Sequence, residues 1–361
     1  MIDPVQPGPS KRGERIAGGI LLVSVLLLIV VLAGTFIKLP YAVERPGPVT
    51  DTLGSLDDGS DLVQVTGAKS YQTEGDLYFT TVRILGNPEE HINGWEWLIG
   101  HLDPDSTVLP EKDVFGEDRT EKEIEEMNTA MMQGSQDNST AVGIRSTGTK
   151  VPQENLVARV GEDLPAEGKL KPEDVITSVD GTRIDRVSEI VSAISDREVG
   201  EKVRVGIRRD DRARTVTMTT EDIGGGRAGI GVGIEPKYDY PYEVSIDAGR
   251  VGGPSAGMMF ALAVHDVLTP GALTKGKSIA GTGTINDSGD VGPIGGIHQK
   301  MVGARDADAT WFLAPQDNCS SVVGAIPEGL NVVAVGTFDE ALTAVKSIAK
   351  GDGADLPTCE K

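Results

Sequence analysis

The sequence predicts a mixed α/β (α+β) architecture in three parts: one apolar helix, a small β-rich domain, and a larger domain in which strands and helices alternate. Three observations carry that expectation. Residues 16–37 run for twenty-two positions without a charge. Residues 141–222 hold short alternating strands, one helix and regular turn signals, and residues 228–350 switch repeatedly between strand-like and helical patterns.

A helix the length of the uncharged stretch spans about 33 Å, against a bilayer core of about 30 Å. Lys11, Arg12 and Arg15 precede it. The positive-inside rule then makes residues 1–15 a cytoplasmic tail and puts the rest of the chain outside. Val31-Leu32-Ala33 offers a cleavage site, but the apolar core exceeds the roughly 7–15 residues of a signal peptide, which favours an uncleaved transmembrane helix over 16–37. The 361-residue chain has a formal charge of −21, and such acidity opposes attraction to nucleic acid.

After the helix, Glu44-Arg45-Pro46-Gly47-Pro48-Val49 is turn-rich and 51–60 is small and acidic, so 38–60 reads as an exposed stalk. Residues 62–65 and 77–85 read as strands. Thr120 and Glu123 fit a capping box, followed by Ile124, Met127 and Met131 at helical spacing as a core stripe. In the small domain Val203, Val205 and Ile207 alternate, Asp210-Asp211 turns the chain, and Val216 and Met218 alternate back, a hairpin. Residues 188–194 supply an amphipathic helix, and Gly224-Gly225-Gly226 reads as a flexible exit. The larger domain is expected to hold a helix from Pro254, a strand over 278–285, a helix from His298, strands at 310–313 and 331–335, and a helix over 338–349.

Two segments carry chemistry. Gly252-Gly253-Pro254-Ser255-Ala256-Gly257 is a Gly/Pro turn feeding a buried helix that runs to Leu268. A serine in that first turn meets unpaired N–H groups and the positive end of the helix dipole, which suit a developing oxyanion. Pro293-Ile294-Gly295-Gly296-Ile297-His298-Gln299-Lys300 follows. Beside Val291, Ile294, Ile297 and Met301, an apolar pocket would favour the neutral amine of Lys300 and make it a base.

These two segments, in this order, resemble the proteolytic domain of Lon proteases. The resemblance implies a Lon-type fold, with Ser255 as nucleophile, Lys300 as general base and Thr282 helping to orient the lysine. Gly253, Pro254 and Ala256 support the turn. Gly252 and Thr284 stand where Lon proteases carry acidic residues. Gly75-Asp76-Leu77 and Met132-Gln133-Gly134-Ser135 resemble the opening strand and first helix of the same domain, which would make 61–140 its amino-terminal part. Gly168 to Gly181 resembles the PDZ signature, with Glu173 in place of its usual turn glycine. A PDZ domain implies capture of an extended peptide at a sheet edge, with the groove residues unassigned. Gating of the protease is the other role open to it.

Other patterns point elsewhere and are set aside. Gly271 to Ser278 satisfies the P-loop pattern, including Lys277, but follows a helix and precedes a strand, the reverse of a nucleotide site, so no ATP binding is expected. His91, His101, His265 and His298 lack metal-ligand spacing, and no metal or other cofactor is expected. His265 lies ten residues beyond Ser255, too far along one helix to activate it. Trp95 and Trp97, beside Ile99, are expected to cover a small core or the membrane face. Cys319 and Cys359 are the only cysteines; on the outer side they are expected to pair and pin the tail, 351–361, the alternative being two buried thiols. The sequence therefore reads as a membrane-anchored, ATP-independent serine endopeptidase acting on protein substrates. The resemblance implies a hexameric ring. A non-catalytic peptide-binding adaptor is the alternative.

Overall fold

The computed structural model describes residues 11–56, 59–117 and 119–359. The chain forms two compact units, 1–46 with 82–124, and 47–81 with 125–361. In chain order the main elements begin with α1 (Lys11–Phe36), β1 (Tyr41–Asp51), β2 (Val63–Thr66), β3 (Asp76–Leu85), α2 (Gly94–Leu102), β4 (Thr107–Pro110) and α3 (Glu121–Ser146). The small domain adds β5 (Gln153–Val160), β6 (Val175–Val179), α4 (Val187–Ser195), β7 (Lys202–Arg209), β8 (Arg212–Thr219) and β9 (Val232–Tyr238). Then come β10 (Glu243–Ile246), α5 (Gly257–Leu268), β11 (Ser278–Gly281), α6 (Ile297–Asp306), β12 (Trp311–Pro315), β13 (Asn331–Val335) and α7 (Phe338–Lys350).

In the first unit, α1 is apolar and bare: its 18–36 window has none of its residues buried. It is the one described helix long and apolar enough to cross a membrane. Trp95 donates its indole N–H to Val31 O at 3.0 Å, above Gly34, where a Cβ would meet the indole at 2.4 Å. Asn93 caps α2 in a capping box with Glu96. Trp97 meets Tyr41 edge-on at 6.5 Å, while Leu98, Ile99 and Leu102 of the same helix stay exposed.

The stalk expected over 38–60 is not what forms. Tyr41 to Glu44 pair antiparallel with β4, and Ala42 and Val43 are fully buried. Pro46 and Pro48 argue against a strand because neither can donate to a ladder. They fall beyond those four pairs, and Pro48 instead accepts a bond from Thr81 Oγ1 at 2.8 Å. The chain crosses between the units within β1, β3 and α3, so the stretch 61–140 is divided and 82–124 belongs to the first unit.

The second unit carries a sheet ordered β13-β12-β11-β3-β1, with β13, β12, β11 and β3 parallel. Against it lies α5, buried from Gly257 to Asp266. Phe79 of β3 meets Phe260 of α5 at 5.3 Å, so strand and helix share one core despite their distance in sequence. The helix stripe expected at Met127 and Met131 is displaced. Met131 is exposed, and Met132, Ser135 and Ser139 face inward instead, because α3 meets α5 through small and polar side chains. Cys319 and Cys359 are joined, their Cα atoms 4.9 Å apart across a separation of 40 residues. On the chain-entropy account such a loop stabilises by about 4 kcal/mol.

The small domain holds an antiparallel sheet ordered β8-β7-β6-β5-β9 over its own core, including Val157, Ile176, Ile190, Val205 and Met218. Asp210 and Asp211, at φ 50° and 56°, make the left-handed two-residue turn that hairpin twist favours. Glu173 adopts φ 72°, the conformation for which glycine is usual. The exit expected at Gly224-Gly225-Gly226 is a turn within the domain. Asp222 Oδ1 accepts from Gly224 N and Gly226 N, Ile223 N donates to Arg227 O, and the chain returns to pair β9 with β5 over seven residues. The sheet thus extends past 222 to Tyr238, and α3 continues through 141 to Ser146.

Candidate active site

Ser255 sits in the turn just before α5, two residues upstream of the helix's first residue rather than in its first turn. Gly253 takes φ 83°, a conformation that favours glycine, and donates its N–H to Asn128 O at 3.0 Å. Pro254 O accepts from Ser135 Oγ at 3.0 Å, and Ser139 Oγ donates to Gly257 O at 2.8 Å. Ala256, buried, is the N-cap. At Gly252, a Cβ would lie 3.0 Å from Asn128 Cβ, so α3 occupies the space a side chain would need.

The strand expected over 278–285 breaks after Gly281. Thr282 N donates to Leu313 O at 3.1 Å, and Gly283 N turns to Ser255 O at 2.8 Å. Thr284-Ile285 then pairs with Val291-Gly292 as a separate hairpin. The break aims Thr282 at the serine turn. Its Oγ1 donates to Ser255 O at 3.0 Å and lies 3.0 Å from Lys300 Nζ.

Lys300 projects from α6, which Gly296 opens at φ 63°. Its side chain is buried, only 3% exposed, and Val291, Ile297 and Met301, expected to shield it, are buried as well. Nζ lies 2.9 Å from Ser255 Oγ. The sequence separation of 45 residues is thus closed to one hydrogen bond. The geometry has a direction. The single Thr282 hydroxyl proton goes to the Ser255 carbonyl, so Thr282 can only accept from Nζ. A neutral amine that points one N–H at Thr282 can keep its lone pair for the serine hydroxyl.

Each of the four histidines has a partner outside this cluster. His91 meets Glu111 at 2.7 Å, His101 meets Trp97 O at 2.8 Å, and His298 Nδ1 meets Ala325 O at 3.4 Å. His265 meets Ser146 Oγ at 2.6 Å, and burial pushes it down to about 4. Beside it, Asp266 is pushed up to about 6 by burial, with Oδ1 accepting from Leu273 N and Oδ2 without a partner among the described residues. The 271–278 segment runs from α5 into β11, with Gly276 N and Lys277 N bonded to Glu74 O and Thr274 O.

Residues 242–347 match the Lon protease (S16) C-terminal proteolytic domain. The Lon-type domain thus takes in the Ser255 turn, Thr282 and Lys300. Residues 119–220 match a PDZ domain. Lon protease 1 of Bacillus subtilis is 36% identical over 118 residues, 31% of this chain and 15% of that protein. Lon protease of Campylobacter concisus is 36% identical over 111 residues, 29% of this chain and 13% of that protein. The chain therefore spans only about a seventh of the length of these two curated relatives. The PDZ domain of the SdrC-like protein from Listeria monocytogenes is 27% identical, covering 22% of this chain and 85% of that one, with a TM-score of 0.22.

Asn128, Ser135 and Ser139, which brace the serine turn from α3, were not singled out by sequence reasoning as site residues. The only trace was the likeness of 132–135 to the first helix of a Lon proteolytic domain. A second missed residue is Asp287, at the tip of the 284–292 hairpin and 3% exposed. Its carboxylate accepts from Val187 N at 2.6 Å, Ser188 N at 3.2 Å and Gln153 Nε2 at 2.6 Å, so a residue of the Lon-type domain caps the PDZ helix α4. Arg145 and Arg186 both donate to Asp287 O, at 2.9 and 2.8 Å.

Proposed function

We propose that the chain is a membrane-anchored, extracytoplasmic, ATP-independent serine endopeptidase that cleaves unfolded or membrane-associated proteins, its PDZ domain selecting or gating them. The 2.9 Å approach of a buried lysine Nζ to Ser255 Oγ carries this reading. Burial disfavours an ammonium, so the amine can take a proton at neutral pH. Ser255 Oγ attacks the scissile carbonyl while its proton passes to Nζ, and backbone amides of the serine turn hold the oxyanion. Lys300 then protonates the leaving amine, and the same lysine draws a proton from the water that hydrolyses the acyl-enzyme. Thr282 holds Nζ in position throughout.

The bare apolar surface of α1, with Leu98, Ile99 and Leu102 of α2 also exposed, supports anchoring, and Lys11, Arg12 and Arg15 ahead of the apolar stretch support an outside position for the remainder. The Cys319–Cys359 bridge fits an oxidising compartment. The bonded N–H groups of 276 and 277, leading into a strand, support independence from ATP. A homo-oligomer, hexameric by likeness to Lon proteases, belongs to the same proposal. The test is labelling with a fluorophosphonate probe: wild type should react, and Ser255→Ala and Lys300→Ala should not. Absence of both labelling and peptide cleavage in the wild type would favour the adaptor.

A further inference from the structure

Two cavities meet along the PDZ helix. The first, about 360 Å³, lies between α4 and the 228–234 segment, with Leu164, Ile190, Ile194, Ile223 and Ile230 in its wall. Arg159 and Arg227, both exposed, stand at its edge. The second, about 390 Å³, lies between the amino-terminal half of α4, Ile234 and Pro236 of β9, and Asn286, Asp287 and Asp290 of the Lon-type hairpin. Val191 and Ile234 line both, so they form one groove. β9 ends the order of its sheet, leaving an outer edge along that groove on which a strand can be added.

The two ends differ in charge. The guanidinium groups mark one; at the other, Asp287 is sealed by its backbone donors, which leaves the exposed Asp290 as the carboxylate that faces a ligand. Asp290 Oδ2 accepts from Asn286 Nδ2 at 2.8 Å, and the nearby Arg145 and Arg186 are turned to Asp287 O. Charge therefore sets the direction of an added peptide: its terminal carboxylate at the basic end, its upstream part toward Asp290, antiparallel to β9. Side chains of a strand alternate faces at about 3.3 Å per residue, so the last residue and those about two and four before it face α4. The fourth reaches the level of Pro236, where the hairpin begins to line the groove.

We propose that the Lon-type hairpin completes the PDZ groove with a distal subsite in which Asp290, beside Asn286, selects lysine or arginine about four residues before an apolar carboxyl terminus. This deepens the PDZ reading and rests on it. The occupant is the tail of a protein substrate, apolar at its end and basic upstream.

The test is fluorescence anisotropy with full-length protein and labelled octapeptides ending in valine, carrying Lys, Ala or Glu at that upstream position. Wild type is expected to bind the Lys peptide at least tenfold more tightly than the Glu peptide. Asp290→Lys should invert the order and Asp290→Asn should abolish it, both leaving the Ala peptide's affinity within twofold, which also reports an intact groove. Equal affinities for Lys and Glu peptides, or a preference unmoved in both variants, would overturn the distal subsite while leaving the PDZ reading in place. Failure of all three peptides to bind would remove both.

Discussion

Replacing Thr282 by valine swaps one hydroxyl for a methyl at a position with no exposure, so shape is kept and two hydrogen bonds are lost. The Ser255 carbonyl keeps its bond from Gly283 N, and Nζ keeps its approach to Ser255 Oγ, so neither group is orphaned. At about 1 kcal/mol each, the two bonds put the loss near 2 kcal/mol. If that loss falls on the placement of the lysine in the transition state, kcat drops about 30-fold. KM should stay within about twofold, since a change confined to the transition state leaves ground-state binding alone. Thr282→Ser retains the hydroxyl and should restore most of the rate. Steady-state kinetics on a quenched peptide would measure this, with a urea midpoint for each variant to separate stability from rate. A valine variant with wild-type kcat, or a serine variant as slow as the valine one, would refute the role assigned to Thr282.

Two further outcomes are expected. His265, held down to about 4 from an ordinary 6.5, contributes stability that is complete above pH 6.5 and lost as pH falls toward 4. Asp266, raised from 3.8 to about 6, contributes the opposite slope: its stability is complete below pH 3.8 and lost as pH rises toward 6. Between pH 4 and 6 the two oppose each other, so relative to wild type Asp266→Asn should lose stability more steeply toward acid and His265→Gln less steeply. Urea midpoints across that range that move in parallel for both variants would sink the assignment. Asp287→Ala should strip the acceptor from Val187 N, Ser188 N and Gln153, at a cost of about 2–4 kcal/mol. Hydrogen exchange should then rise first at the start of α4, and unchanged protection there would count against the capping role.

The serine turn and the lysine were legible because each is written as a short local pattern: glycines where the backbone turns left-handed at 253 and 296, then an apolar helix. The alternation of β7 and β8 was legible for the same reason, since a hairpin is a local object. What escaped depends on partners far away in sequence. Pro46 and Pro48 hid β1 because their positions beyond the β4 ladder could not be known without β4. Ser135 and Ser139 look like surface residues until α5 is laid against α3, 118 and 119 positions later. The three glycines at 224–226 suggested slack. Only the pairing of β9 with β5 turns them into a corner. Asp287 reads as a turn residue, and its meaning rests on donors 99 and 100 residues earlier.

The return of β9 to the small sheet has a mechanical outcome. A module hung from one flexible tether sweeps a volume, whereas this one is fastened where α3 enters, where β9 leaves, and again at the Asp287 clamp. The bearing of the small sheet on the serine turn is therefore set by these attachments and not by the slack of a linker.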